Sequence, residues 1–180
     1  MDLFIGGGSI GYCNTEDCKI AKDTGLIYPN GIVQGHDGFV YSPSALTGEV
    51  KVLSLDDHQS LADVGSFRVP IPVDNLSVDK KGHILAAGFP QAYKLLEGSK
   101  DPHHTKAPSG IYVLERHERH SLASLAKGEW HDGDVTVTKI MEDDGSVLSG
   151  FSIAVHDVET GKIFLGGPLA PFITICETQF

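Results

Sequence analysis

Three corners of this 180-residue chain carry side-chain oxygens where short apolar runs begin: Asn30 in Tyr28-Pro29-Asn30-Gly31, the pair Asp74-Asn75 in Pro72-Val73-Asp74-Asn75, and Ser152 ahead of Ile153-Ala154-Val155. Amide and carboxylate oxygens gathered without Cys or His suit a hard cation, and calcium accepts the irregular shells of about six to eight oxygens that such corners build. The same residue types also serve plain turns, because Asn and Asp hydrogen-bond their own backbone and tolerate left-handed conformations. Residue type and spacing leave both open.

Nine histidines raise the question of zinc. His103, His104, His117, His120 and His131 lie in a polar stretch without an apolar scaffold to fix them, so they read as a solvated loop face. His36, His83 and His156 recur in or beside the turns that follow the oxygen-bearing corners. Four or five residues at about 3.3 Å each separate them from Asn30 and Asn75, beyond the reach of a general base acting there. Ser77 and Ser152 lack a Gly-x-Ser-x-Gly elbow, which argues against a serine nucleophile. Asp143-Asp144-Gly145 reads as a hairpin turn. The cysteines are Cys13, Cys18 and Cys176; a local Cys13–Cys18 bridge is one option, and a zinc site would need ligands this spacing does not define.

The elements that position these corners repeat. Asn30-Gly31-Ile32-Val33, the turn Gly35 to Gly38 and Phe39-Val40-Tyr41 match Asn75-Leu76-Ser77-Val78, the turn Asp79 to Gly82 and His83-Ile84-Leu85-Ala86, an interval of 75 − 30 = 45. They match again at Ser152-Ile153-Ala154-Val155, a turn through His156-Asp157 to Gly161, and Lys162-Ile163-Phe164-Leu165, an interval of 152 − 75 = 77 that includes an insertion. Hairpins at a period of about 40 to 50 residues indicate propeller blades of four antiparallel strands. Further strands are expected at Glu49 to Leu53, Ala92 to Leu96, Gly110 to Leu114 and Asp134 to Met141, the last closing a blade. The fold class is therefore all-β, read as a single partial propeller of about three blades over 1–60, 61–133 and 134–180. A weak helical turn is expected around Ser121 to Lys127. Three blades cannot close a ring, so either the chain is part of a larger propeller, or copies associate, or the fold is not a propeller; as blades, the end ones expose faces that favour self-association or a complementary half.

Composition bounds the partners. Fourteen Lys and Arg against 24 Asp and Glu give a charge of −10, which disfavours nucleic acid, a ligand that asks for basic clusters. A hydrophobic share of 41% is enough for a core. Twenty-one glycines indicate many turns and short strands. No run is long enough for a membrane helix, and the first residues lack the pattern of a secretion signal, so the chain reads as soluble with its compartment unspecified.

The corners themselves resemble the calcium-dependent paraoxonase/arylesterase family, within the wider set of gluconolactonase-like and strictosidine-synthase-like propellers. The matching segments are Pro29-Asn30-Gly31-Ile32, Val73-Asp74-Asn75-Leu76-Ser77-Val78-Asp79, and the stretch from Gly145-Ser146-Val147-Leu148-Ser149-Gly150 through Lys162 to Gly167 and Ile175-Cys176-Glu177. Gly7 to Cys13 with Cys18 to Ala21 looks most like fungal members. The resemblance implies the C-terminal half of a six-bladed, calcium-bearing propeller that hydrolyses lactone or aryl ester bonds, with Ca2+ as Lewis acid. It implies Asn30, Asp74 and Asn75 as ligands of the catalytic calcium and Ser152 as a residue lining the substrate pocket. Gly88-Phe89-Pro90 stands where vertebrate members carry His-Pro-Asn, which makes Phe89 a differing pocket wall. Cys176 resembles a cysteine that ties the C-terminal end to an N-terminal partner not in this chain. With the other half of the site absent, activity is expected to be impaired; a non-catalytic fragment or interaction module is the alternative.

Overall fold

The structure, a computed structural model, describes residues 8–21, 25–55, 60–102, 104–117, 130 and 133–178. Its strands are β1 (Gly11–Cys13), β2 (Cys18–Ile20), β3 (Val33–Gln34), β4 (Val40–Pro43), β5 (Glu49–Leu55), β6 (Leu61–Arg68), β7 (Val73–Val78), β8 (Ile84–Gly88), β9 (Ser109–Arg116), β10 (Val135–Asp143), β11 (Ile153–Asp157), β12 (Lys162–Gly166) and β13 (Thr174–Glu177), with one helix, α1 (Ala92–Gly98). They form antiparallel sheets ordered β3-β4-β5-β6, β7-β8-β9-β10 and β11-β12-β13, plus the hairpin β1-β2. The chain is thus nearly all-β, in successive blade-like meanders, as the repeat implies.

The sheets stack face to face, and the sequence of the middle one shows why. Ile84, Ala86, Tyr112 and Leu114 pack against Phe39, Tyr41, Val50 and Val52 of the first sheet. Their neighbours Leu85, Ala87, Ile111 and Val113 pack the opposite way, against Leu148, Phe151, Ala154, Ile163 and Leu165. Successive strand residues point to opposite faces, so a sheet covered on both sides reads as unbroken apolar runs. Every residue of β8 is buried accordingly. A smaller cluster, Ile10, Ala21, Leu26, Leu53 and Leu61, seats the hairpin on the outer side of the first sheet. The hairpin is closed by a Cys13–Cys18 disulfide, and Cys176 is a free thiol.

Three expectations are corrected. Residues 92–96 form no strand but lie in α1, because β8 already pairs directly with β9 and the run Ala92 to Glu97 is made of good helix formers apart from Tyr93. Residues 61–68 close the first sheet by pairing with β5, and 135–143 close the second by pairing with β9. The anticipated divisions after 60 and 133 therefore do not separate one sheet from the next. Asp143-Asp144-Gly145 joins two different sheets rather than two paired strands; Asp143 Oδ1 accepts the N–H groups of Gly145 and Leu148, an Asx corner in which Gly145 takes φ +87°. The helical turn proposed near Ser121, with His103, His120 and His131, lies outside the described residues.

Trp130 is wedged against the seam between the first two sheets. Its ring meets Phe39 edge-on, stacks on Phe67 at 5.9 Å, and lies where a side chain on Gly65 would project. The Arg116 guanidinium rests over Phe39 at 4.7 Å and Trp130 at 5.6 Å while its Nη1 holds Asp37 Oδ2 at 3.1 Å. A Gly65→Ala substitution should overfill this seam and lower unfolding free energy by about 1–3 kcal/mol. Chemical denaturation followed by the emission of the single tryptophan would measure this; unchanged midpoint and emission would mean that the indole does not seat on Gly65.

Candidate functional site

At the start of β7 the pairing with β8 jumps from Val73↔Gly88 to Asn75↔Ala87, which leaves Asp74 as the extra residue of a bulge. A regular strand throws consecutive side chains to opposite faces; a bulge relaxes that rule and re-aims them. The bulged backbone then meets the first sheet. Gly31 N–H donates to Asp74 O at 2.8 Å, and a Cβ on Gly31 would stand 2.8 Å from Asn75 Cα, so only glycine brings the Asn30 corner this close. On the other side, Asn75 Nδ2 donates to Ser152 O at 3.1 Å, and Ser152 N–H is held by Gly166 O at 2.9 Å.

Four of the sequence-selected residues thus meet along the leading ends of adjacent sheets: Asn30 exposed, Asp74 and Asn75 half-buried, and Ser152 buried. Phe89, also buried, joins them through its N–H bond to Pro72 O at 3.0 Å. Burial raises the Asp74 carboxyl above its usual range, and its carboxylate has no hydrogen-bond or ionic partner among the described residues. A desolvated carboxylate suits a hard, oxygen-seeking cation, because a bound positive charge offsets the cost of keeping the carboxylate ionised. Among the described residues there is no cluster of three His, Cys, Asp or Glu side chains placed to hold a metal. Replacing Asp74 by Asn should raise the melting temperature of the metal-free protein, since burial then no longer opposes a charge. Calorimetry at neutral pH measures this, and a lower melting temperature would mean that Asp74 has a stabilising partner.

The opposite end of the same strand holds a group that residue types alone did not single out. Asp79 Oδ1 accepts the backbone N–H groups of Lys81 at 2.8 Å and His83 at 2.9 Å. Its Oδ2 meets His156 Nδ1 at 2.8 Å and His83 Nδ1 at 3.1 Å, and His83 Nε2 faces Glu115 Oε1 at 3.3 Å. His156 lies inside β11 and is buried, not in the following turn. The signal was available in the spacing: Asn75 and Ser77 on β7 and Asp79 just past its end alternate at every second residue, and each meets a residue 77 positions on, Ser152, Ala154 and His156. Ser77 Oγ is committed to Ala154 O at 2.5 Å, which removes it as a nucleophile.

Burial works to raise the Asp79 carboxyl, but the hydrogen bonds from His156 and from the His83 and Lys81 backbone outweigh it, and the net shift is downward. A carboxyl depressed by folding stabilises above its unfolded value and loses that contribution as pH falls through its folded value. The carboxyl's contribution to stability should therefore be held above the ordinary carboxylate range, about pH 4, and be lost as pH falls below it. Asp79→Asn should lower neutral-pH stability and flatten that acid limb in urea titrations at stepped pH; an unchanged limb would assign acid sensitivity to other groups.

Between the first two sheets a cleft of about 350 Å³ is lined by His36, Asp37, Lys81, His83, Glu115 and Arg116. Tyr41 closes its inner wall, donating to Asp37 Oδ2 at 2.6 Å; burial, then this bond, push its phenol far up. Asp37 is already taken by Tyr41 and Arg116, so this cleft is an ion-paired seam.

Stacked antiparallel meanders of four, four and three strands, with Asn30, Asp74-Asn75 and Ser152 at the starts of their first strands, define the class of partial β-propeller. Sequence comparison sets the family: the arylesterase family model matches residues 2–174, and the chain belongs to that family. It is 31% identical over 168 residues to serum paraoxonase/lactonase 3 of Oryctolagus cuniculus, covering 92% of this chain and 42% of that protein. To serum paraoxonase/arylesterase 2 of Homo sapiens it is 27% identical over 157 residues, covering 86% and 39%. The chain therefore spans about two-fifths of the length of the curated relatives it matches.

Proposed function

We propose that this chain takes part in calcium-dependent hydrolysis of lactone or aryl ester bonds, with Asn30, Asp74 and Asn75 supplying oxygen ligands to Ca2+. The observation that carries the reading is the desolvated Asp74 carboxylate, without a hydrogen-bond or ionic partner among the described residues, on the bulge where the Asn30 and Asn75 corners meet, in a chain of the arylesterase family. When bound, the ion would supply Lewis acidity to an ester carbonyl. The chain's own residues do the rest. Ser152 O turns the Asn75 amide so that its nitrogen faces the third sheet, which frees Oδ1 for a cation. Phe89 and Ser152 provide the apolar and hydroxyl-bearing wall against which a small ester or lactone would lie.

General-base help in such reactions is worth about 10² to 10⁴-fold, and His83 and His156 are held by Asp79 at the far end of β7. One carboxylate among three ligands also gives a weak site, since affinity for calcium grows with the number of charged oxygens. Turnover by this chain unaided is therefore expected to be slow. Assays with phenyl acetate and δ-valerolactone, with and without chelator, test the reading. Calcium-dependent hydrolysis that Asp74→Ala abolishes supports it, and calcium-dependent hydrolysis untouched by Asp74→Ala sinks the assigned site.

A second reading, a module that acts by association, draws on one surface. Val155, Phe164 and Ile175 sit directly across from one another on β11, β12 and β13 and are 47%, 36% and 57% exposed. That row is the counterpart of the faces by which the second sheet packs on both neighbours. Self-association, or docking of complementary blades, should bury it. Sedimentation of the purified chain should show oligomers, and Phe164→Lys should reduce them; a monomer at all concentrations would count against association through this face.

A further inference from the structure

Asn30 is the ligand candidate with the least protection, since its side chain is exposed and it precedes β3 rather than lying within a strand. Its peptide is nevertheless fixed from two sheets. Asn30 N–H donates to Pro43 O at 3.1 Å, and the following Gly31 N–H donates to Asp74 O at 2.8 Å. The Gly31 carbonyl is held in turn by the hydroxyl of Ser42, which donates to it at 3.2 Å. Ser42 lies on β4 at 1% exposure, where a hydroxyl is costly unless it is hydrogen-bonded. Gly31 fits because its missing Cβ would otherwise stand 3.0 Å from both Asp74 O and Leu76 N.

We infer that Ser42 and Gly31 are positioning residues of the oxygen site: together they clamp the Asn30 peptide between the first sheet and the Asp74 bulge, and so set the distance between the Asn30 amide and the Asp74 carboxylate. The inference rests on the calcium reading above. Neither residue touches the cation; each acts through the backbone beside Asn30, Gly31 by its N–H in the Asn30–Gly31 peptide and Ser42 on the carbonyl of the next peptide. Partners of this outer kind typically change metal affinity by about 10 to 100-fold when removed. Ser42→Ala deletes one oxygen and no packing volume, and is the milder probe. Gly31→Ala forces the Asn30 corner away from the bulge.

The test is a calorimetric calcium titration of the full chain, paired with melting temperatures in chelator. Gly38→Ala serves as the control, because Gly38 has φ +83° with open space around a Cβ and should lose stability without disturbing the site. The expected result is that Ser42→Ala weakens calcium binding about tenfold and Gly31→Ala more, while Gly38→Ala lowers the melting temperature and leaves Kd unchanged. If Ser42→Ala and Gly31→Ala lower melting temperature but keep the parent Kd, the clamp is structural and the inference is overturned. Should Gly31→Ala fail to fold, Ser42→Ala decides alone. If the parent chain takes up no calcium, the functional reading falls and the clamp's role falls with it, an outcome distinct from a parent that binds and variants that bind equally.

Discussion

The contact on which the second and third sheets depend is a three-rung ladder between β7 and β11. Asn75, Ser77 and Asp79 reach across to Ser152 O, Ala154 O and the His156 ring, each at the same sequence offset of 77. The common offset means that the two strands run in the same direction and in fixed register. Neither strand pairs with the other by backbone bonds; polar side chains of one satisfy backbone groups and a buried ring of the other. Buried polar groups are costly unless partnered, so a one-residue slip between sheets would strand all three rungs at once. The ladder therefore fixes the register in which Asn75 meets Ser152 at one end and Asp79 meets His156 at the other.

The first seam is joined differently. There the sheets meet through an aromatic group, Phe39, Tyr41, Phe67 and Trp130, with Arg116 lying over two of its rings and tied to Asp37. At the leading end backbone meets backbone, in the bonds from Gly31 N–H to Asp74 O of the bulge and from Val73 N–H to Ser44 O. Dispersion between rings tolerates small shifts more readily than a hydrogen-bond ladder does. The candidate site thus lies between a register-locked seam and a seam set by packing, and the Gly31 contact is what ties its first-sheet member to the rest.

Much of this was legible in the sequence, and the repeat is the reason. The interval of 77 read between Asn75 and Ser152 reappears as the offset of all three rungs, and the oxygen-bearing corners meet because they occupy equivalent strand starts. What escaped detection depended on contacts between segments. The helix at Ala92–Gly98 looked like a strand because Tyr93, Leu95 and Leu96 are apolar, and only the direct pairing of β8 with β9 excludes a strand there. The pattern reads His156 as part of the third turn, whereas β11 runs on to Asp157 and leaves only residues 158–161 before β12. The bulge at Asp74 has no signature in composition: it shows only when β7 is laid against β8.

The double burial of the middle sheet has a consequence for how this sequence can change over time. Ile84 and Ala86 serve one interface while Leu85 and Ala87 serve another, so drift along β8 is constrained by two independent sets of neighbours with no solvent-facing position to absorb it. A volume gained at one residue must be compensated in the first sheet, and a volume gained at the next in the third. Outer strands are freer, since Thr136, Thr138, Lys139 and Glu142 on β10 and Ala62, Val64 and Arg68 on β6 all face solvent. Lineages of this chain should accumulate divergence on the rims of the blades while β8 changes slowly and in concerted pairs.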